Sequence, residues 1–131
     1  MTLFRLGRFT SHSGLVLDWK IECDDLTPED LECLASIGYE LIGDFGHVVY
    51  IPDGGARFAQ AMQQWCSPES PRVLLVDDVL TTGRSMERFR DRMILHPSHR
   101  PKQDVLGLVI FARTIPPPWI RAIFTLTEGV R

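Results

Sequence analysis

Residues 73–85 read Val-Leu-Leu-Val-Asp-Asp-Val-Leu-Thr-Thr-Gly-Arg-Ser, and the reading of this stretch decides the fold. The apolar run at 73–76 predicts a strand buried on both faces, as in a parallel sheet. Asp77 and Asp78 stand where that strand is expected to end. Thr81, Thr82, Gly83 and Ser85 then supply small hydroxyl donors and one flexible backbone position, and a helical pattern follows over 86–95. A strand, two acids, a phosphate-sized turn and a helix together predict a ligand site at the carboxyl edge of an open α/β sheet.

The flanking sequence extends this pattern. Loose alternation over 15–21 predicts a half-buried strand. Thr27-Pro28-Glu29-Asp30 is a helix start, with Thr27 as cap, Pro28 in the first turn and two acids on the positive end of the helix dipole. That helix is expected to reach about Ile37 and to stop at Gly38. A short apolar strand at 48–51 leads into the turn Pro52-Asp53-Gly54-Gly55 and a helix over 56–65. After the helix at 86–95, stopped by His96-Pro97, come an apolar strand at 105–111, an extended loop at the triple proline 116–118, and a last strand at 120–126. Strands alternating with helices predict a three-layer α/β fold with a mainly parallel sheet flanked by helices.

At 131 residues the chain has the length of one domain, 1–131. A formal net charge of −3 gives no electrostatic reason to expect nucleic acid as a partner. Cys23, Cys33 and Cys66 are odd in number and lack CxxC spacing, which indicates neither a disulfide framework nor a zinc site and suits reduced thiols in the cytoplasm. No signal peptide or membrane-length apolar run is read, so no membrane partner is expected. Walker chemistry is set aside because no GxxxxGK[ST] loop occurs. A receiver domain would place its acid pair near its start.

The chemistry open to the 73–85 stretch follows from its donors. A helix N-terminus presents unpaired N–H groups and partial positive charge, which suits phosphate. Paired acids beside a phosphate would repel it, so Asp77 and Asp78 are expected to face sugar hydroxyls or a bridging divalent cation. The plainer reading is a solvated acid pair and simple strand-to-helix punctuation.

The same stretch resembles the phosphoribosyl-diphosphate (PRPP) signature of type I phosphoribosyltransferases. The resemblance implies that Asp77 and Asp78, as the catalytic acids, hold the ribose hydroxyls, with Mg²⁺ reached indirectly. It implies that Val79, Leu80, Thr81, Thr82, Gly83, Arg84 and Ser85 wrap the 5′-phosphate. Residues 7–14, Gly-Arg-Phe-Thr-Ser-His-Ser-Gly, resemble the amino-terminal stretch of orotate phosphoribosyltransferases. There His12 stands where a lysine commonly reaches the diphosphate; it partly replaces that charge near or below its ordinary pKa of about 6.5, or is a surface histidine. Asp53, Gly54 and Gly55 resemble the diphosphate loop. The glycines allow close backbone approach, whereas the Asp53 carboxylate opposes a diphosphate unless a metal intervenes or the side chain points away. Arg113 sits where the family carries a base-side pair, placed to stack on or pair with an anionic base, or to act as a surface charge.

One family segment is missing. Between the helix ending near Trp65 and the strand at Val73 there is no room for the additional strand and mobile loop that supply basic residues to the diphosphate and close over the reaction. Arg57, or a basic residue from the neighbouring subunit of a homodimer, is the candidate replacement. The resemblance therefore implies a trimmed PRPP- or nucleotide-binding protein, transferring ribose 5-phosphate to a pyrimidine-like base such as orotate with Mg²⁺. The alternative is a catalytically silent regulatory protein on the same fold. A third reading, an interaction module built on Trp119 beside the prolines, is weaker. The partners implied are small molecules: PRPP, a nucleobase or a nucleotide.

Overall fold

A computed structural model describes residues 3–10, 16–52, 54–95 and 104–126. Six strands and three α-helices occur among them, in the order β1 (Phe4–Thr10), β2 (Val16–Ile21), α1 (Pro28–Ile42), β3 (His47–Tyr50), α2 (Ala56–Gln63), β4 (Val73–Leu80), α3 (Arg84–Leu95), β5 (Val105–Ala112) and β6 (Ile120–Thr125), with a 3₁₀ turn at Cys23–Asp25. Strands β3-β4-β5-β6 form one parallel sheet in chain order, and β1-β2 form a separate antiparallel pair. The expected α/β sheet flanked by helices is present.

Alternation along the central strands divides the core in two. Leu74, Val76, Leu108 and Ile110 pack with Leu34 and Ala35 of α1 and Phe58 and Met62 of α2. Leu75, Val105 and Val109 pack on the opposite face with Met86, Phe89 and Met93 of α3. The β3–α2–β4 and β4–α3–β5 crossovers thus step the same way across the sheet on opposite faces, and must be of opposite hand. Because about 98% of such crossovers are right-handed, one of this pair is an exception. The consequence for function is direct. The chain leaves β3 and β4 toward opposite faces and opens a crevice between their carboxyl ends, where α/β sheets bind ligands.

Helix α1 starts as expected. The Asp30 amide donates to Thr27 Oγ1 at 3.0 Å and the Thr27 amide to Asp30 Oδ2 at 2.9 Å, a reciprocal cap worth about 1 kcal/mol. Its end departs from expectation, since the helix runs through Gly38 to Ile42 and is closed by Gly43 at φ 75°. Gly38 is a packing residue: a Cβ there would lie 2.9 Å from Leu108 Cδ2. A second correction concerns β4, which does not stop before the acids but continues to Leu80 because β5 pairs with it as far as Leu80↔Ala112. Strand β1 was not foreseen. It pairs with β2 and docks through Phe4, whose ring lies 6.1 Å from Trp19 and 6.2 Å from Phe111. Trp119 is not an exposed apolar site: it packs on the α3-side core under the Arg90 guanidinium, 4.0 Å from its ring. No helix among the described residues is long and apolar enough to cross a membrane.

Candidate ligand cleft

A cleft of about 530 Å³ opens at the carboxyl ends of β3 and β4. Ile51, Pro52 and Gly54 of the β3 exit form one wall, and Leu80, Thr81, Thr82, Gly83 and Ser85 of the β4 exit form another. The β1-β2 pair closes a third side with Phe9, Thr10 and Lys20, continued by Glu22 and by Cys23 and Asp24 of the 3₁₀ turn. Asp77, Asp78 and Val79 lie between these walls.

Consecutive strand residues normally point to opposite faces, yet Asp77 and Asp78 both line the cleft. The β4–β5 ladder lacks a pairing at Asp78, and two side-chain bonds replace it. The Asp78 amide donates to Asp77 Oδ1 at 2.8 Å, and the Val79 amide donates to Asp78 Oδ1 at 2.7 Å. Each acid thus accepts from the amide that follows it. Burial, and then the adjacent Asp78 charge, push the Asp77 carboxyl up to about 8. Among the described residues neither acid has an ion-pair partner.

Beyond the acids the backbone turns at Gly83, whose φ of 84° suits a residue without Cβ, and α3 begins at Arg84. The Arg84 amide donates to Thr82 Oγ1 at 3.3 Å, and the Glu87 amide to the Gly83 carbonyl at 3.0 Å. The first turn of α3 therefore opens on the cleft with the Thr81, Thr82 and Ser85 hydroxyls around it. Val79 packs into the α1/α2-side core and Leu80 into the α3-side core, so these two hold the turn in place, while Arg84 is exposed beside it.

Gly54 lines the cleft against Asp78, and Gly55 is buried against β4, where a Cβ would meet the Val76 carbonyl at 2.7 Å. His12 and Asp53 lie outside the described residues. Arg113 lines the cleft, but its guanidinium lies 3.5 Å over the Trp19 ring and donates to the Trp19 carbonyl. Arg57 does not line it. Its guanidinium donates to the carbonyls of Cys23, Asp24 and Leu26, the last at 2.6 Å, and anchors the 3₁₀ turn. The missing segment stays missing: residues 64–72 run directly from α2 to β4, and the Ser67 amide bonds to the Phe45 carbonyl on the way.

Sequence reading overlooked Lys20, Glu22, Cys23 and Asp24. The alternation Lys20-Ile21-Glu22 at the end of a strand was the available signal, since it puts both charges on one side. Lys20 Nζ lies 2.5 Å from Glu22 Oε1 and 4.8 Å from the centre of the Phe9 ring. This lysine holds the Glu22 carboxyl below the usual range. Burial, with the Asp78 and Asp77 charges, pushes the Cys23 thiol up, which favours its protonated form.

The layered sheet and its crevice define the fold of the orotate-type, type I phosphoribosyltransferases. Orotate phosphoribosyltransferase from Aeropyrum pernix superposes with a TM-score of 0.71 at 18% identity, over 95% of this chain and 88% of that one. UMP synthase from Leishmania donovani gives a TM-score of 0.75 at 16% identity, over 95% of this chain and 34% of that one. Orotate phosphoribosyltransferase from Mycobacterium tuberculosis gives 0.64 at 18%, over 94% and 89%. No protein-family model matches the sequence, and no curated protein matches it.

Proposed function

We propose that the cleft is a ribose 5-phosphate site of the phosphoribosyltransferase kind, taking PRPP or a nucleoside monophosphate. One observation carries the reading: Asp77 and Asp78 share a cleft with the Thr81–Ser85 turn that opens the first turn of α3. The acids would accept from the ribose 2- and 3-hydroxyls. The turn would hold the 5-phosphate through amides, hydroxyls and the helix dipole, the dipole contributing about 0.3–1 kcal/mol per exposed contact. Phe9 and Ile21 offer the apolar wall on which a planar base would lie.

In its fuller form the reading is transfer of ribose 5-phosphate from PRPP to a pyrimidine-like base such as orotate. Cleavage of the anomeric C–O bond leaves positive charge on the sugar and negative charge on diphosphate, so the negative charge of the Asp77–Asp78 pair would favour the sugar and fixed cations must favour the leaving group. An acid pair without an ion-pair partner among the described residues fits Mg²⁺ reached through ribose hydroxyls or water, and a bound cation would favour release of the Asp77 proton. No cluster of three or more metal-binding side chains occurs among the described residues, so the ion would arrive with its ligand. When bound it would neutralise diphosphate charge.

The second reading is a catalytically silent, nucleotide-binding regulator. Two observations favour it: residues 64–72 leave no closing loop, and Arg57 is committed to three carbonyls. Closure that excludes water is what such a reaction needs. Calorimetry with PRPP and Mg²⁺, followed by an assay for diphosphate release across a panel of free bases, separates the readings. Binding with release supports transfer, binding without release supports the regulator, and absence of binding to PRPP and to nucleotides overturns both.

A further inference from the structure

We infer that the cleft is built for a ligand with one anionic end, a nucleoside 5′-monophosphate, and prefers it to PRPP; this rests on the ribose 5-phosphate reading. PRPP is anionic at both ends of its sugar, with a phosphate on C5 and a diphosphate on C1. Among the described residues the cleft has one place that suits an anion, the Thr81–Ser85 turn at the start of α3.

The remainder of its lining is acidic. Among the described residues six basic or carboxyl side chains line it, the bases Lys20 and Arg113 and the carboxyls Glu22, Asp24, Asp77 and Asp78, so acids outnumber bases even with the Asp77 proton in place. Neither base is held ready for a second anion. Lys20 pairs with Glu22 at 2.5 Å, and Arg113 is stacked on Trp19 and bonded to its carbonyl. The other helix start at the cleft, that of α2, is no substitute. The Asp78 carboxylate lies against Gly54 there, both its oxygens within 2.8 Å of where a Cβ would stand, so a carboxylate already occupies that ground. A diphosphate would have to displace these contacts or face uncompensated acids, whereas the uncharged glycosidic end of a nucleotide would not.

The test is calorimetric titration of the full chain with UMP, CMP, AMP, GMP, PRPP and ribose 5-phosphate, each with and without Mg²⁺. At least one nucleoside monophosphate is expected to bind about tenfold or more tighter than PRPP, with Mg²⁺ narrowing the gap but not closing it. Tighter binding of PRPP with Mg²⁺ than of every monophosphate overturns the preference while leaving the ribose 5-phosphate site standing. Failure of ribose 5-phosphate and every nucleotide to bind overturns the underlying reading and the preference with it. Glu22→Gln gives an independent check because it releases Lys20. PRPP affinity should rise severalfold relative to the monophosphate, and an unchanged ratio counts against the charge argument.

Discussion

Gly54 and Asp78 are fitted to one another: a Cβ on Gly54 would stand 2.5 Å from Asp78 Oδ2 and 2.8 Å from Oδ1. The obstacle is the end of a side chain and not backbone, so the carboxylate can yield where the fold need not. Gly54→Ala is therefore expected to keep a melting temperature close to that of the parent and to weaken nucleotide binding about tenfold by turning Asp78 away. Thermal melts and calorimetry on the same variant check this. A large fall in melting temperature with unchanged affinity would show that Gly54 serves the fold and not the site.

Asp77 gives a pH dependence of definite sign. Its carboxyl is raised from the ordinary 3.8 to about 8, so the folded chain binds this proton more tightly than the unfolded one. The stability it contributes is complete at low pH and is lost as pH climbs from about 4 through 8. Asp77→Asn imitates the protonated acid and keeps an oxygen for the Asp78 amide. Its melting temperature should exceed the parent's by several degrees at pH 8.5, with the difference shrinking toward pH 5; each kcal/mol corresponds to roughly 3–6 °C in a chain of this size. A difference independent of pH would contradict the assignment.

Arg57 separates anchoring from ligand binding. Its three carbonyl partners tie α2 to the 3₁₀ turn, and exposure of the side chain keeps the contribution modest. Arg57→Ala should cost about 1–2 kcal/mol in denaturant unfolding, with PRPP affinity altered no more than about threefold. A loss of PRPP affinity beyond tenfold at unchanged stability would restore this arginine to the diphosphate.

Much of this was legible because local signals and tertiary demands agree. The Thr27–Asp30 cap, the apolar run opening β4 and the Gly83 turn each announce themselves within a few residues. Gly38 misled because a glycine inside a helix looks like a stop until the packing against Leu108 is seen. Gly38→Ala should accordingly destabilise by about 1 kcal/mol, overpacking against Leu108 outweighing the gain in helix propensity; a stabilised variant would refute the packing account. The strand beyond Val76 was read as short because two acids conceal a pairing that only β5 reveals. The commitments of Lys20, Arg57 and Arg113 depend on contacts 2 to 94 residues away along the chain, and a list of basic residues cannot foretell which of them are engaged.

The ribose 5-phosphate site is tested most directly by titrating ¹⁵N-labelled protein with ribose 5-phosphate and following the amide resonances. The amides of Thr82, Gly83, Arg84 and Ser85 should shift saturably together with those of Asp77 and Asp78, and Asp77→Asn combined with Asp78→Asn should abolish the shifts. Saturable shifts confined to residues away from the β3 and β4 exits, or none at millimolar ligand, would contradict the account.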